Sequence, residues 1–321
     1  MQNIYIFGSN GQDGSILKNK ILNNLKETNL FLFSKNTICQ FKNQNLQKEI
    51  FIPDNIEYLN LCSKLIDEFA PNFIYYFAAV HISSTEQESN INSEQMFFTN
   101  IALVSFLLNK CSTSNIKTKF LFTSSSLIFS DCDISPQSEN TIRKPKCNYS
   151  RQKVLIEELM NQIKEQNIQT FVSIMYNHES VKRKNKFFTK KIISSCSKLS
   201  HNISKEKQKK ITIYNPESII DMGYASEYVD MLYDLTLLDA TGTYIFASGN
   251  PIKVRDFVNE VLNFYGLSRD LISYESMNPR FNIDLIGDNT KICSTLGRSP
   301  KIYGKSLAKK LCEDYEIYIN N

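Results

Sequence analysis

IYIFGSNGQDGSIL, residues 4–17, passes from four apolar residues through Gly8, Gly11 and Gly14 into a segment with helical periodicity. The three glycines follow a G-x-x-G-x-x-G spacing between a first strand and a first helix. Glycine permits the tight turn there, and the amides at the helix start face an anion such as a pyrophosphate. A glycine triplet alone is a weak signal. Set between strand and helix, it points to a dinucleotide site built from Gly8, Gly11, Gln12, Asp13 and Gly14.

Outward from this unit, short apolar runs alternate with helical patterns. The runs NIYIFG (3–8), NLFLFS (29–34), IEYLNL (56–61), FIYYFA (73–78), KFLFTS (119–124) and TFVSIMYN (170–177) read as buried strands. Residues 15–27, 93–111 and 148–165 carry helical spacing. Such alternation predicts an α/β fold with a doubly wound parallel sheet. Beyond about residue 178 the pattern loosens into basic loops, short strands at 211–214 and 243–248, and helices near 253–266, 287–296 and 305–318. This predicts a main lobe over 1–177, with later returns near 211–250, and a smaller C-terminal lobe over 178–321.

The 321 residues are 42% hydrophobic and 22% charged, enough apolar content for a large core, and the net charge is +4. That weak positive balance is too slight to argue for nucleic acid by itself and is compatible with an anionic small molecule, so no nucleic-acid partner is expected. Eight cysteines are scattered without a C-x-x-C pair, which supports neither a zinc site nor a disulfide framework. No apolar run approaches the ~20 residues of a membrane span, and the first residues lack the features of a signal peptide. A cytoplasmic protein with no membrane partner is the expectation.

The second strand ends in Ser34 and Lys35, where a site for NAD(H) would ordinarily carry an acidic residue for the ribose hydroxyls. Lys35 would neutralise a 2′-phosphate, so NADP(H) is the favoured cofactor and NAD(H) the alternative. Asn60 and Leu61 would border the adenine, and Ala78 with Ala79 would run beside the phosphates.

KFLFTSSSLIFS (119–130) ends a strand in stacked hydroxyls, and CNYSRQK (147–153) spaces Tyr149 and Lys153 one helical turn apart. A phenol titrates near ~10 and serves acid–base chemistry at neutral pH only beside a cation that favours its phenolate. Lys153 supplies the cation. Ser125 or Ser126 would orient the oxygen that reacts. Y-x-x-x-K is common by chance, and gains specificity from the glycine turn and the upstream serines.

On these motifs the chain resembles the extended short-chain dehydrogenase/reductases, and within them the GDP-mannose 4,6-dehydratases, from residue 1 to about 300. GSNGQDGSIL, PQSEN (136–140), YNHES (176–180), FFTKKI (187–192), GYASEYVDMLY (223–233) and LIGDNTKICSTLG (285–297) each resemble a segment of that group. The resemblance implies a Rossmann lobe for NADP(H) and a C-terminal lobe for a nucleoside diphosphate-sugar, a GDP-sugar first. His81, Asn177, Glu179, Thr189, Lys191 and Arg280 would line the substrate, with Lys182, Arg183 and Lys184 as further cations for the diphosphate. Helices 93–111 and 148–165 would pair between copies in a homodimer or homotetramer.

The departures are equally specific. The family's Thr-Ser-Glu is Ser125-Ser126-Leu127 here, and its Arg-Asp-Trp-Gly is Ile220-Asp221-Met222-Gly223. The glutamate is the group associated with removing the C5 proton and expelling the C6 hydroxyl, and leucine exchanges no proton. A 4-keto-sugar reductase or dehydrogenase is therefore favoured over full dehydration. A dehydratase with a displaced acid–base group and a non-catalytic paralogue are the alternatives.

Overall fold

The computed structural model describes residues 1–25, 27–51, 54–81, 92–114, 117–163, 167–201, 210–276 and 284–320. In chain order the strands are β1 (Gln2–Phe7), β2 (Thr28–Phe33), β3 (Thr37–Lys42), β4 (Asn45–Phe51), β5 (Phe73–Tyr76), β6 (Thr118–Ser125), β7 (Ile168–Met175), β8 (Asn177–Glu179), β9 (Ile211–Tyr214), β10 (Ile219–Ile220), β11 (Met222–Tyr224), β12 (Gly242–Phe246), β13 (Ile252–Lys253) and β14 (Ile272–Glu275). The helices are α1 (Gln12–Asn24), α2 (Asn55–Glu68), α3 (Ser93–Phe97), α4 (Leu103–Ser112), α5 (Asn148–Gln162), α6 (Phe188–His201), α7 (Ala225–Leu237), α8 (Val254–Tyr265), α9 (Thr290–Leu296) and α10 (Gly304–Asn320). A π-helical turn, Phe98–Ala102, joins α3 to α4.

Among the described residues the main sheet has eight strands in the order β12-β7-β6-β5-β1-β2-β3-β4. β1 pairs in parallel with β2 and β5, and β5 with β6. These central strands are continuous apolar runs because both faces are covered. Adjacent residues point to opposite faces. Accordingly Tyr75 reaches Thr236 of α7 at 2.7 Å while Tyr76 donates to the Thr99 carbonyl in the π turn. This is the doubly wound, Rossmann-type arrangement.

One strand assignment is corrected. Residues 56–61 are helical, lying inside α2, whose buried Tyr58, Cys62, Leu65 and Ile66 recur at helical spacing. Asp54 caps this helix by accepting from the Glu57 amide at 2.8 Å. The strand that enters α2 is instead β4, which runs antiparallel to β3 as β3 does to β2, and so parallel to β2. β4 is mostly exposed and polar, as suits an edge. β3 is thus an extra strand inserted between two parallel neighbours. The β3–β4 turn places Asn43 and Gln44 at φ 47° and 72°, the positive pair that matches hairpin twist.

The chain forms two compact units. The first comprises Met1–Ile128, Pro145–Ile174 and Val229–Tyr244; the second comprises Phe129–Lys144, Met175–Tyr228 and Ile245–Asn321. The second unit has its own core, where α6, α8 and α10 bury Ile192, Phe257, Val261, Leu307 and Leu311. In α8 the buried Val254, Phe257, Val258, Val261 and Leu262 make one apolar stripe. Among the described residues no helix is long and apolar enough to cross a membrane, and no group of His, Cys, Asp and Glu side chains could hold a metal ion.

Candidate functional site

The glycine turn is held mainly by backbone bonds, with the Ser9 hydroxyl adding one to the Phe33 carbonyl at 3.3 Å. The Phe33 carbonyl at the end of β2 accepts from the Gly8 amide at 2.9 Å and the Ser9 amide at 3.2 Å, and Gly11 N–H donates to Gly8 O at 2.9 Å. Gly8 has φ +80°, and a Cβ there would stand 2.7 Å from the Ala78 nitrogen. A Cβ on Gly14 would stand 2.4 Å from the Gly8 carbonyl. Gly8 is therefore required for the turn and Gly14 for the close approach of helix to strand. Gly11 caps α1 without a side-chain hydrogen bond, and a helix N-terminus of this kind favours an anion. Gln12 Nε2 reaches Asp13 Oδ1 at 3.2 Å in that first turn. A glycine turn with no room for a Cβ at Gly8 or Gly14, opening a thirteen-residue helix, fits a dinucleotide pyrophosphate.

Ser34 and Lys35 follow directly on Phe33. The Ser34 amide and hydroxyl both donate to the Thr37 carbonyl, at 2.9 and 3.1 Å, shaping the β2–β3 turn, and Lys35 is exposed beside it. Lys35 is therefore one residue past the serine that starts the hairpin, at the carboxyl end of β2. Asn60 and Leu61 do not follow a strand end: they lie within α2, Asn60 exposed and Leu61 half-buried. The ground for assigning them to the adenine is removed by the helix. Ala78 and Ala79 follow β5, with the Ala78 backbone against Gly8.

Tyr149 and Lys153 share a face of α5 and are 7% and 1% exposed. Lys153 Nζ donates to the Thr123 carbonyl at 2.7 Å and lies 4.5 Å from the Phe122 ring centroid and 5.6 Å from that of Tyr149. Burial pushes the Lys153 ammonium down to about 7, with the Glu157 carboxylate pulling it back up. Glu157 in turn accepts from the Ser124 hydroxyl. The strand–helix pairing of β6 and α5 is thus tied through polar groups that are almost fully buried.

Ser125 ends β6 with part of its surface open, and its Oγ accepts from the Leu127 amide at 3.3 Å. Ser126 is buried at the start of a 3-10 turn. Leu127, Val80 and Cys147, each half-buried, pack against Met96 and Tyr149. The His81 ring meets the Tyr149 ring edge-on, with centroids 4.7 Å apart. His81, Tyr149, Lys153, Ser125 and Leu127 are therefore brought together within the first unit.

Asn100 in the π turn escaped sequence inspection. Its amide accepts from the Val80 N–H at 2.9 Å and donates to the Val80 carbonyl at 3.1 Å and to Gln152 Oε1 at 2.8 Å. It fixes the backbone just before His81. Its only signal was an amide inside the apolar run between Met96 and Leu108.

In the second unit, Glu179 is buried and accepts from the Thr189 hydroxyl, with Arg183 Nε 3.6 Å away. Arg183 also lies over the Phe187 ring at 3.9 Å. Asn177 is exposed on β8 opposite Met222, and Lys191 is exposed on α6. Lys182 and Lys184 are exposed as well. Arg280 lies outside the described residues. His178 has a structural role, with Nδ1 2.7 Å from the Tyr176 carbonyl and its ring stacked on Tyr228. Asp221, met in the sequence only as part of a family-like motif, proves to organise this unit. Its Oδ1 accepts from the Ser248 amide and hydroxyl at 2.8 and 2.5 Å, and its Oδ2 from the Gly249 and Gly287 amides at 3.2 and 3.1 Å. Burial pushes its carboxyl up while these donors pull it down.

Residues 5–311 match the family model of GDP-mannose 4,6 dehydratase. The chain is 24% identical to GDP-mannose 4,6 dehydratase of Drosophila melanogaster, over 98% of this chain and 87% of that protein. RMD from Pseudomonas aeruginosa, solved with NADPH, superposes with a TM-score of 0.78 at 15% identity, covering 99% of this chain and 100% of that one. A dTDP-glucose 4,6-dehydratase from Bacillus anthracis, solved with NAD, superposes with a TM-score of 0.76 at 14% identity, covering 99% and 97%. At those identities the two structures speak to the fold.

Proposed function

The chain belongs to the GDP-mannose 4,6 dehydratase family, enzymes that act on nucleotide sugars with a nicotinamide cofactor, and on that premise we propose that it oxidises or reduces a nucleotide-linked sugar at C4 without eliminating water. The observation that carries this is Leu127, an alkyl side chain packed against the cluster of Met96 and Tyr149, where the resemblance to the family implies a glutamate. The first unit would hold the dinucleotide, through Gly8, Gly11, Gln12, Asp13 and Gly14. Lys35 favours NADP(H), whose 2′-phosphate it would meet. The second unit would hold the nucleoside diphosphate-sugar, a GDP-sugar by family, through Asn177, Thr189, Lys191 and their neighbours.

When bound, the nicotinamide supplies the two-electron exchange with C4. Tyr149 moves the proton at O4: its phenol donates to a ketone oxygen, or its phenolate accepts from an alcohol. Lys153 stabilises the phenolate by charge at short range. Ser125, with its hydroxyl at the open end of β6, orients O4, while the buried Ser126 shapes the turn beneath it. Leu127 can neither remove a proton at C5 nor donate one to a leaving hydroxyl.

The test is NADPH consumption by the purified protein with 4-keto nucleotide sugars. Turnover should fall about 10²–10⁴-fold in Tyr149→Phe with an unchanged melting curve. Consumption that persists in that variant, or none with any 4-keto sugar, would overturn the assignment.

A further inference from the structure

Lys190 and Lys191 are neighbours on α6 with opposite surroundings: Lys191 is exposed, while Lys190 is buried at 7% exposure. The Lys190 ammonium donates to the Val181 carbonyl at 2.6 Å. It lies 4.5 and 4.6 Å from the ring centroids of Tyr315 and Tyr318, both on α10. Among the described residues no carboxylate pairs with it, and burial pulls its ammonium down. A charge taken out of water is costly, and here a carbonyl and two π faces offset that cost.

The carbonyl that Lys190 holds opens a basic turn. Residues 181–184 carry Lys182, Arg183 and Lys184 in succession. The backbone bonds of the turn are short-range: the Lys182 amide donates to the Ser180 hydroxyl at 3.3 Å and the Arg183 amide to the Ser180 carbonyl at 3.1 Å. Lys190 ties that backbone to a helix nine residues further along the chain. The strand leading into the turn is tied to α10 as well. Tyr224 of β11 donates to Asp314 Oδ2 at 2.6 Å, and β11 pairs with β8, Tyr224 opposite Glu179. One helix therefore backs both the strand and the turn. Consecutive cations repel one another, and a backbone fixed at Val181 holds them ready for an anion without a further ordering cost on binding.

Resting on the reading that the second unit holds the nucleoside diphosphate, we propose that Lys190, Tyr315 and Tyr318 are positioning residues for it. They fix the turn from which Lys182, Arg183 and Lys184 meet the diphosphate, so the last turns of α10 govern its affinity without touching it.

The experiment titrates the full-length protein with GDP and with UDP by calorimetry and follows amide hydrogen exchange across residues 181–187. Tyr318 is 59% exposed, so its ring is removable without opening the core. Tyr318→Leu should weaken the nucleotide about 2- to 5-fold, the share of one exposed cation–π contact, and speed exchange in the turn at an unchanged melting midpoint. Tyr318→Phe keeps the π face and should restore both. Lys190→Met should weaken binding by roughly tenfold or more; if that variant does not fold, the Tyr318 pair decides. Native affinity and native exchange in Tyr318→Leu, or an equal loss in Tyr318→Phe, would overturn the positioning role and leave the nucleotide assignment intact. Absence of GDP and UDP binding by the native protein would overturn both.

Discussion

Lys153 holds a charge in a place that resists charge. Burial draws its ammonium down to about 7, and Glu157, one turn along α5, is the group opposing that fall. In the proposed mechanism Lys153 is the cation that favours the Tyr149 phenolate, so turnover should decline as pH rises through the lysine's titration. Replacing Glu157 by Gln removes the opposing charge and lowers the lysine further, so the alkaline limb of the kcat profile should move to lower pH. A limb unmoved in Glu157→Gln would show that Lys153 does not set it. The Tyr149–Lys153 pair was legible in sequence because a four-residue spacing makes two side chains neighbours on any helix. The rest of the setting was only partly legible: Glu157 stands one further turn along the same helix, but Thr123 and Phe122 meet Lys153 through the packing of β6 on α5.

At the scale of the element, the β1–α1 unit states its purpose in its glycines, because the steric demand is local. Gly14→Ala would drive a methyl to 2.4 Å from the Gly8 carbonyl. Relief requires moving α1 off β1, at a cost typical of overpacking. NADPH affinity, followed by its fluorescence, should weaken by roughly tenfold or more; unchanged affinity would remove the dinucleotide from this turn. The β3–β4 hairpin shows the opposite case. Its turn, Asn43-Gln44, contains no glycine, and β4 is a polar edge strand without an apolar run. The neighbouring IEYLNL has the apolar density of a strand, but its buried positions Tyr58 and Cys62 continue to Leu65 and Ile66 at helical spacing. A six-residue window could not separate those periods. Asn100 was hidden for a related reason, since only the π turn reveals that its amide faces Val80.

At the scale of the whole molecule, each unit has its own organising centre. Asp221 in the second unit uses both carboxylate oxygens to receive four donors from Ser248, Gly249 and Gly287. Asp221→Asn would turn an NH2 group against N–H donors and should cost about 1–3 kcal/mol, read as a lower midpoint in urea. An unchanged midpoint would mean that the segment holds itself. The aspartate was visible in sequence only through its resemblance to a family motif, because its partners lie 27 or more residues away.

Pairing between copies is the second proposal at this scale. Phe97 of α3 and Leu155 of α5 are 56% and 52% exposed, apolar area that pairing between copies would cover. Sedimentation should show a dimer or larger for the native chain and a monomer for Phe97→Asp combined with Leu155→Glu. A monomeric native protein would refute the pairing.

The most direct measurement follows a deuterium label. A nucleotide-linked hexose deuterated at C4 is incubated with the purified enzyme and NADP+, and NMR locates the label. A 4,6-elimination that ends redox-neutral must return the electron pair, and so the deuterium, to C6. Redox chemistry confined to C4 predicts instead that deuterium leaves the sugar for the nicotinamide ring, with C6 unaltered. Deuterium at C6 of a product that has lost one water would contradict the account.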